Sequence, residues 1–167
     1  MRVGLGFDVH AFDAARPLVL GGVPIEGVPG LAGWSDADVV SHAIADAMLG
    51  AAGLGDLGSH FPKESVPEGV SSQELLAQVV RLVAGDGYRL VNLDCVVVIQ
   101  EVRVGPHRSR MEETLAATLR VDRASVSVKA TTTDHLGFTG RGEGVAAMAV
   151  ALLERLLESD GDGPGTG

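Results

Sequence analysis

Cysteine, aromatic side chains and positive charge are all scarce in this 167-residue chain. A single cysteine, Cys95, excludes an intrachain disulfide. Its place in the apolar run Leu93-Asp94-Cys95-Val96-Val97-Val98-Ile99 points to a buried, inert thiol. Aromatics make up 4% of the chain against 46% hydrophobic residues, so the core must be built mainly from Val, Leu, Ala and Ile. Thirteen Lys and Arg against 22 Asp and Glu leave a formal charge of −9, a field that repels nucleic acid and anionic lipid. An acidic protein that binds phosphate needs cations or backbone N–H groups to offset that field, which makes metal ligands the first feature to seek. Long apolar runs are also missing: none approaches the ~18 residues of a membrane span, and no basic start leads into a secretory core. The expectation is a cytoplasmic protein with neither a membrane nor a nucleic-acid partner. Glycine is plentiful, at 23 residues, and its clustering in loops favours tight turns over a fibrous repeat.

The pattern of apolar residues predicts one domain over residues 1–157 and a disordered tail over 158–167, where the sequence has no apolar content. Residues 1–10 read as a strand. Leu18 to Leu20 and Val23 to Ile25 read as a partner strand bent at Gly21-Gly22, and residues 26–34 as a Gly- and Pro-rich loop. Ser35 has the form of a helix N-cap with Asp38 three positions on, and Val39, Val40, Ala43, Ile44, Ala47, Met48 and Ala51 recur at helical spacing as far as Ala52. Ser72 opens a second helix that ends at Gly85-Asp86-Gly87. Tyr88 to Ile99 is a strand, a third helix runs from near Pro106 to Leu119, and Val126 to Thr131 is a strand. Residues 137–144 form a Gly-rich loop, and the apolar stretch from Val145 to Leu157 reads as a last helix. Interleaved helices and strands without a strict βαβ repeat predict an α/β (α+β) domain, a mixed sheet with helices on one face.

Two features carry chemistry. Asp8 and His10 lie two apart on the first strand and so share a face. His42 lies on the first helix with Asp38 and Asp46 one turn to either side. If the helix packs over the strand, one carboxylate and two imidazoles form a three-ligand site with a vacant fourth position, as in catalytic zinc centres, with Asp38 and Asp46 available to orient His42. A surface charge cluster is the alternative that spacing leaves open. The second feature is Leu136-Gly137-Phe138-Thr139-Gly140-Arg141-Gly142-Glu143-Gly144, preceded by Thr131-Thr132-Thr133-Asp134. Backbone N–H groups, hydroxyls and a carboxylate suit a phosphate and a hard cation such as magnesium or manganese; a structural turn at a polar strand end fits equally.

Taken together, Gly6-Phe7-Asp8-Val9-His10, Ser35-Asp36-Ala37-Asp38-Val39-Val40-Ser41-His42-Ala43, Gly55-Asp56-Leu57-Gly58, Phe61-Pro62 and Lys129-Ala130-Thr131-Thr132-Thr133 with the Gly-rich loop resemble the 2-C-methyl-D-erythritol 2,4-cyclodiphosphate synthase family. The resemblance runs from residue 1 to about 157 with order and spacing kept. It implies a homotrimer with sites between subunits and conversion of 4-diphosphocytidyl-2-C-methyl-D-erythritol 2-phosphate to the cyclic diphosphate and CMP, in the non-mevalonate isoprenoid pathway. It implies that Asp8, His10 and His42 hold a Zn2+-type metal, that Asp134 holds a second ion, Mg2+ or Mn2+, and that Thr132 supports the transition state. Substrate contacts carried over by position are Asp8, Val9, His10, Trp34, Ser35, Asp56, Leu57, Gly58, Phe61, Arg103, Thr131, Thr132, Thr133, Asp134, Phe138 and Arg141. The implied reaction is attack of the substrate's own 2-phosphate on its β-phosphorus. Two metals screen an anion approaching an anion, and a single molecule supplies both partners already oriented. Some members hold an isoprenoid diphosphate on the threefold axis, where Phe7 and Arg141 would contribute.

Three positions depart from the family pattern. Trp34 replaces a histidine assigned to transition-state stabilisation, which predicts lower activity or an altered loop over the site. Lys63 follows Phe61-Pro62 where Asp is usual, and Val102-Arg103 replaces the Pro-Lys pair of the cytidine-binding stretch. Two other readings stay open: a non-cyclising metal-dependent phosphohydrolase on the same three ligands, and a degenerate trimer that binds isoprenoid diphosphates without turnover.

Overall fold

A computed structural model describes residues 1–156, so Leu157 and the tail predicted over 158–167 lie outside the described residues. Five strands form one mixed sheet: β1 (Arg2–Leu20), β2 (Val23–Leu31), β3 (Tyr88–Val98), β4 (Val126–Thr131) and β5 (Gly144–Arg155), in the order β2-β1-β5-β3-β4. Among the described residues, only the β3–β4 pair is parallel. Helices α1 (Val39–Ala52), α3 (Ser72–Gly85) and α4 (Arg108–Leu119) pack on one face, as expected, while α2 (Leu57–His60) and α5 (Gly137–Gly140) are single turns in connections. Among the described residues, no helix is long and apolar enough to cross a membrane.

Side chains alternate cleanly along the first half of β1. Gly4 and Gly6 are buried under α1, whereas Val3, Leu5 and Phe7 stand exposed on the opposite face. A Cβ on Gly4 or Gly6 would overlap the carbonyl oxygens of Ala47 and Ala43, so the glycines are what let the helix lie directly against the strand. The contact is built from small residues, and the same seam runs onward along β1 to Asp8 and His10. Deeper in the core, Leu76, Leu93, Met111, Leu115 and Leu153 are almost fully buried, each stabilising the fold by roughly 1.5–3 kcal/mol.

Several element boundaries differ from the sequence reading. The stretch Val145–Leu157 is a strand over its described part: β5 lies between β1 and β3 and is antiparallel to both. Its alanines have high helix propensity, but Ala147, Ala149, Ala151 and Leu153 are buried while Met148 and Val150 are exposed, a period of two enforced by a neighbour on each side. The two opening apolar stretches belong to one long strand, and Gly21-Gly22, both at positive φ, form the hairpin turn into β2, which extends to Leu31 through most of the expected loop. The first helix is capped by Asp38 instead of Ser35, because Ala37 at φ 58 breaks the helical path. Ser71, one residue earlier than expected, caps α3.

Candidate active site

Asp8 and His10 leave β1 on the α1 side, and His42 descends from the first turns of that helix to meet them. Asp8 Oδ2 lies 2.9 Å from His10 Nε2 and 3.0 Å from His42 Nδ1. The two imidazole nitrogens are themselves 3.1 Å apart. These three are the group among the described residues whose donor atoms converge as metal ligands do.

The outer edges of both rings are already engaged. His10 Nδ1 donates to the Ala32 carbonyl at 2.6 Å, which leaves the Nε2 lone pair facing Asp8. His42 Nε2 faces the hydroxyls of Ser72, at 2.9 Å, and Ser35, at 3.1 Å. Ser72 directs its own hydroxyl proton to Asp36, so its oxygen is free to accept from His42 Nε2–H, and the Nδ1 lone pair turns inward. Two neutral imidazoles and a carboxylate oxygen, each oriented from behind, are the donor set a divalent cation with one open position requires. Asp38 and Asp46 do not supply that orientation. Asp38 is fully buried and accepts from the N–H groups of Gly21, Gly22, Val40 and Ser41, locking the hairpin turn to the start of α1; burial pushes its carboxyl up against the pull of those donors. Asp46 accepts from Leu57 N–H at 2.8 Å.

Electrostatics couple the three ligands. Burial alone would raise Asp8, but without a metal the inward nitrogens of His10 and His42, when protonated, donate to it, and those hydrogen bonds and the attendant charge outweigh burial, holding the carboxyl well below the usual carboxylate range. Burial likewise lowers His10, and its contact with Asp8 more than reverses that, leaving its net shift upward.

Beside His42 opens a cavity of about 290 Å³ whose walls include Trp34, Ser35, Leu57, Phe61, Lys63 and Val66. Gly58 is part of the same wall, and Asp56 stands next to it, capping α2 through Ser59 N–H and Oγ, bonds that lower its carboxyl. A larger cavity, of about 710 Å³, lies elsewhere, between α3, β3 and the end of α4, and none of the predicted site residues lines it.

The remaining predicted residues gather at a second place. Thr131 ends β4, and Thr132, Thr133 and Asp134 follow it. Thr132 Oγ1 donates to Asp134 Oδ1 at 3.2 Å, and Asp134 and His135 both adopt positive φ, a conformation that costs a non-glycine residue about 1 kcal/mol or more. Phe138 and Arg141 follow on and beside α5, with Arg141 paired to Glu143 at 2.7 Å. Exposed Arg103 lies in the connection after β3, which is tied to this cluster by His135 N–H to Gln100 Oε1 at 3.3 Å. Thr131 pairs with Val98, Val98 with Ala146, and Ala146 with Val9, so this cluster shares a rung with the Asp8-His10-His42 triad but stands three strands away, about 14 Å. One chain therefore does not bring Asp134 or Thr132 to the triad. Val9 itself points to the outer face of the sheet, away from Asp8 and His10, so its side chain does not face the ligands.

Three contributors escaped the sequence reading: the Ala32 carbonyl, Ser72, and Arg16, whose guanidinium donates to the carbonyls of Gly33 and Ser35. A backbone oxygen leaves no mark in sequence, and a serine at a helix start reads only as a cap.

The YgbB family profile matches residues 1–154. A 2-C-methyl-D-erythritol 2,4-cyclodiphosphate synthase from Desulforamulus reducens is 54% identical over 156 residues, covering 93% of this chain and 99% of the relative. Among solved structures, the bifunctional IspDF from Campylobacter jejuni superposes with a TM-score of 0.89 at 42% identity, over 93% of this chain and 42% of that one. A 2C-methyl-D-erythritol-2,4-cyclodiphosphate synthase solved with CDP bound gives a TM-score of 0.83 at 34% identity, over 92% of this chain and all of that one. With the ligand triad and the sheet order in place alongside these likenesses, the chain belongs to the YgbB family.

Proposed function

We propose that this chain is a cytoplasmic enzyme that catalyses the metal-dependent cyclisation of 4-diphosphocytidyl-2-C-methyl-D-erythritol 2-phosphate to 2-C-methyl-D-erythritol 2,4-cyclodiphosphate, releasing CMP, in the non-mevalonate isoprenoid pathway. The observation that carries this reading is the Asp8-His10-His42 triad, oriented from behind by Ala32, Ser35 and Ser72, in a chain 54% identical to a protein named for that activity. A divalent cation on the triad, Zn2+ on the strength of its two imidazoles, would polarise a phosphoryl oxygen and offset charge in the transition state. Mg2+ or Mn2+ suits the oxygen donors around Asp134.

The residues of the chain would do the rest by orientation. The cavity beside His42 takes the methylerythritol moiety, with Leu57, Gly58 and Phe61 along its wall, Asp56 beside that wall and Ser35 also lining it. Thr131, Thr132, Thr133 and Asp134 receive the diphosphate, Thr132 donating its hydroxyl to the phosphoryl group under attack. Arg103 faces the cytidine side. Nucleophile and electrophile belong to one substrate, so holding them in line is the larger part of the task.

A homotrimer follows from the same proposal. The outer sheet face carries exposed Val3, Leu5, Phe7, Met148 and Val150, an apolar strip that a second copy would cover. On that face Asp94 pairs with Lys129 at 2.6 Å while its buried Oδ1 has no partner among the described residues. A neighbouring copy would bring its Thr132 and Asp134 to this chain's triad, and the axis between copies, lined by Phe7 and Arg141, would be the place for an isoprenoid diphosphate. Residues 1–157 form the synthase domain in this reading.

Product analysis tests the proposal. Metal-loaded protein given the substrate should form CMP and cyclic diphosphate in equal amounts; release of inorganic phosphate, with no cyclic product, would instead assign the triad to hydrolysis.

A further inference from the structure

Trp34 stands at the rim of the cavity beside His42, 38% exposed. Its indole N–H does not point toward the ligand triad. It donates to the Val66 carbonyl at 3.0 Å, across the mouth of the cavity. The backbone continues the same seam: Gly69 N–H donates to the Trp34 carbonyl at 2.8 Å, and Asp36 N–H donates to the Val70 carbonyl at 3.0 Å. On the other side, the Arg16 guanidinium grips the carbonyls of Gly33 and Ser35 and so fixes the base from which Trp34 projects.

The segment held by this seam, Phe61–Val70, has little else to keep it in place. Pro62, Lys63, Glu64 and Ser65 are exposed, and the turn they form is closed on itself by Ser65 N–H and Oγ, both to the Pro62 carbonyl. No residue of the segment is fully buried. Its two ends are anchored, by Phe61 N–H to Leu57 and by the bonds at Gly69 and Val70. Between those anchors, among the described residues, the indole bond is the one hydrogen bond tying the segment to the rest of the fold. Segments with few buried contacts open at low free-energy cost, so a single hydrogen bond weighs heavily in their closed population.

From this geometry we infer that Trp34 is a positioning residue that latches the Phe61–Val70 segment over the substrate cavity through its bond to Val66. The latch sets how firmly substrate is retained and leaves the reacting phosphates to other groups. The inference rests on the cyclisation reading for its substrate, but its physical content, a closed segment held by an indole, does not.

The test uses the full metal-loaded chain and the variant Trp34→Phe, which keeps an aromatic wall and removes the N–H. Lys63 is the tryptic site inside the segment, so brief native-state trypsin digestion reads its opening directly. Loss of one neutral hydrogen bond should raise cleavage after Lys63 about fivefold and raise KM about fivefold, with the loss falling on KM and not on kcat. Unchanged cleavage and KM would overturn the inference. So would a fall in kcat at constant KM, which would put the indole on the reacting phosphates. Should the variant fail to fold, the native chain still decides: it has one tryptophan, hence one indole N–H resonance. Solvent exchange slower than that of free indole supports the latch, and exchange at the free rate refutes it. If the native chain released no CMP, the cyclisation reading would fall while cleavage and exchange still judged the latch.

Discussion

The two ends of this sheet that carry chemistry are built on opposite plans. At the β1–α1 seam, three ligands are partly buried, within 3.1 Å of one another, and backed by a carbonyl and two hydroxyls. At the end of β4, Thr131, Thr132 and Asp134 are exposed and bonded chiefly to their own neighbours in sequence. The first end is complete within one chain because a helix packed on glycines leaves it no freedom. The second is open: its backbone is held in a costly conformation, yet among the described residues no group of metal-ligating atoms converges on Asp134.

The contrast can be broken most severely at the complete end. His42→Ala should remove the first metal and lower turnover by about three orders of magnitude, since the loss falls on the charge-screening group itself. Elemental analysis and circular dichroism together check it, and retained zinc in a folded variant would discard the assignment. Asp134→Asn should spare that metal and raise the magnesium or manganese requirement roughly tenfold, one charged ligand's worth of affinity; a metal titration of activity decides it. The proposal that the half-sites meet between copies makes a sharper demand. At a magnesium concentration too low for Asp134→Asn alone to turn over, co-assembling His42→Ala with Asp134→Asn chains should restore about a quarter of native activity, the fraction of sites that draw a good half from each chain, whereas sites confined to one chain would gain nothing from mixing.

The smallest effect concerns pH in the metal-free protein. His10 is shifted upward from its ordinary 6.5 by Asp8, so its protonated form is favoured in the fold. That contribution is complete below 6.5 and is lost as pH rises through the raised value. The depressed Asp8 contributes above its ordinary 3.8 and fades only in strong acid. Chelated protein should therefore melt at a lower temperature at pH 8 than at pH 6, while His10→Asn flattens that difference; equal slopes in thermal melts would deny the coupling. In the metal-loaded protein the sign inverts, because protons compete with the metal for His10 Nε2.

Much of the fold was legible because it is local. The α1, α3 and α4 stretches announce themselves by apolar spacing, even though the caps of α1 and α3 fall on Asp38 and Ser71 and not on the serines first read, and the strand pattern of β3 and β4 is plain. The misread element, β5, is the one whose conformation depends on neighbours: an alanine-rich run is a helix by propensity and a strand by virtue of β1 and β3 on its flanks. At the site, Asp8 and His10 were readable as a pair from the two-residue period, and His42 from its helix. Asp38 misled because a buried N-cap that bonds Gly21 and Gly22 is indistinguishable in sequence from a ligand-orienting carboxylate.

Residue identity alone determined the donor chemistry, the small-residue seam that admits the helix, and the family to which the chain belongs, since these depend on side chains and their order. Only the tertiary structure decided which groups back the ligands, that Trp34 reaches Val66, and that Asp134 stands three strands from the triad. Those facts depend on contacts between segments far apart in the chain, and no local pattern encodes the distance between two strands separated by two others.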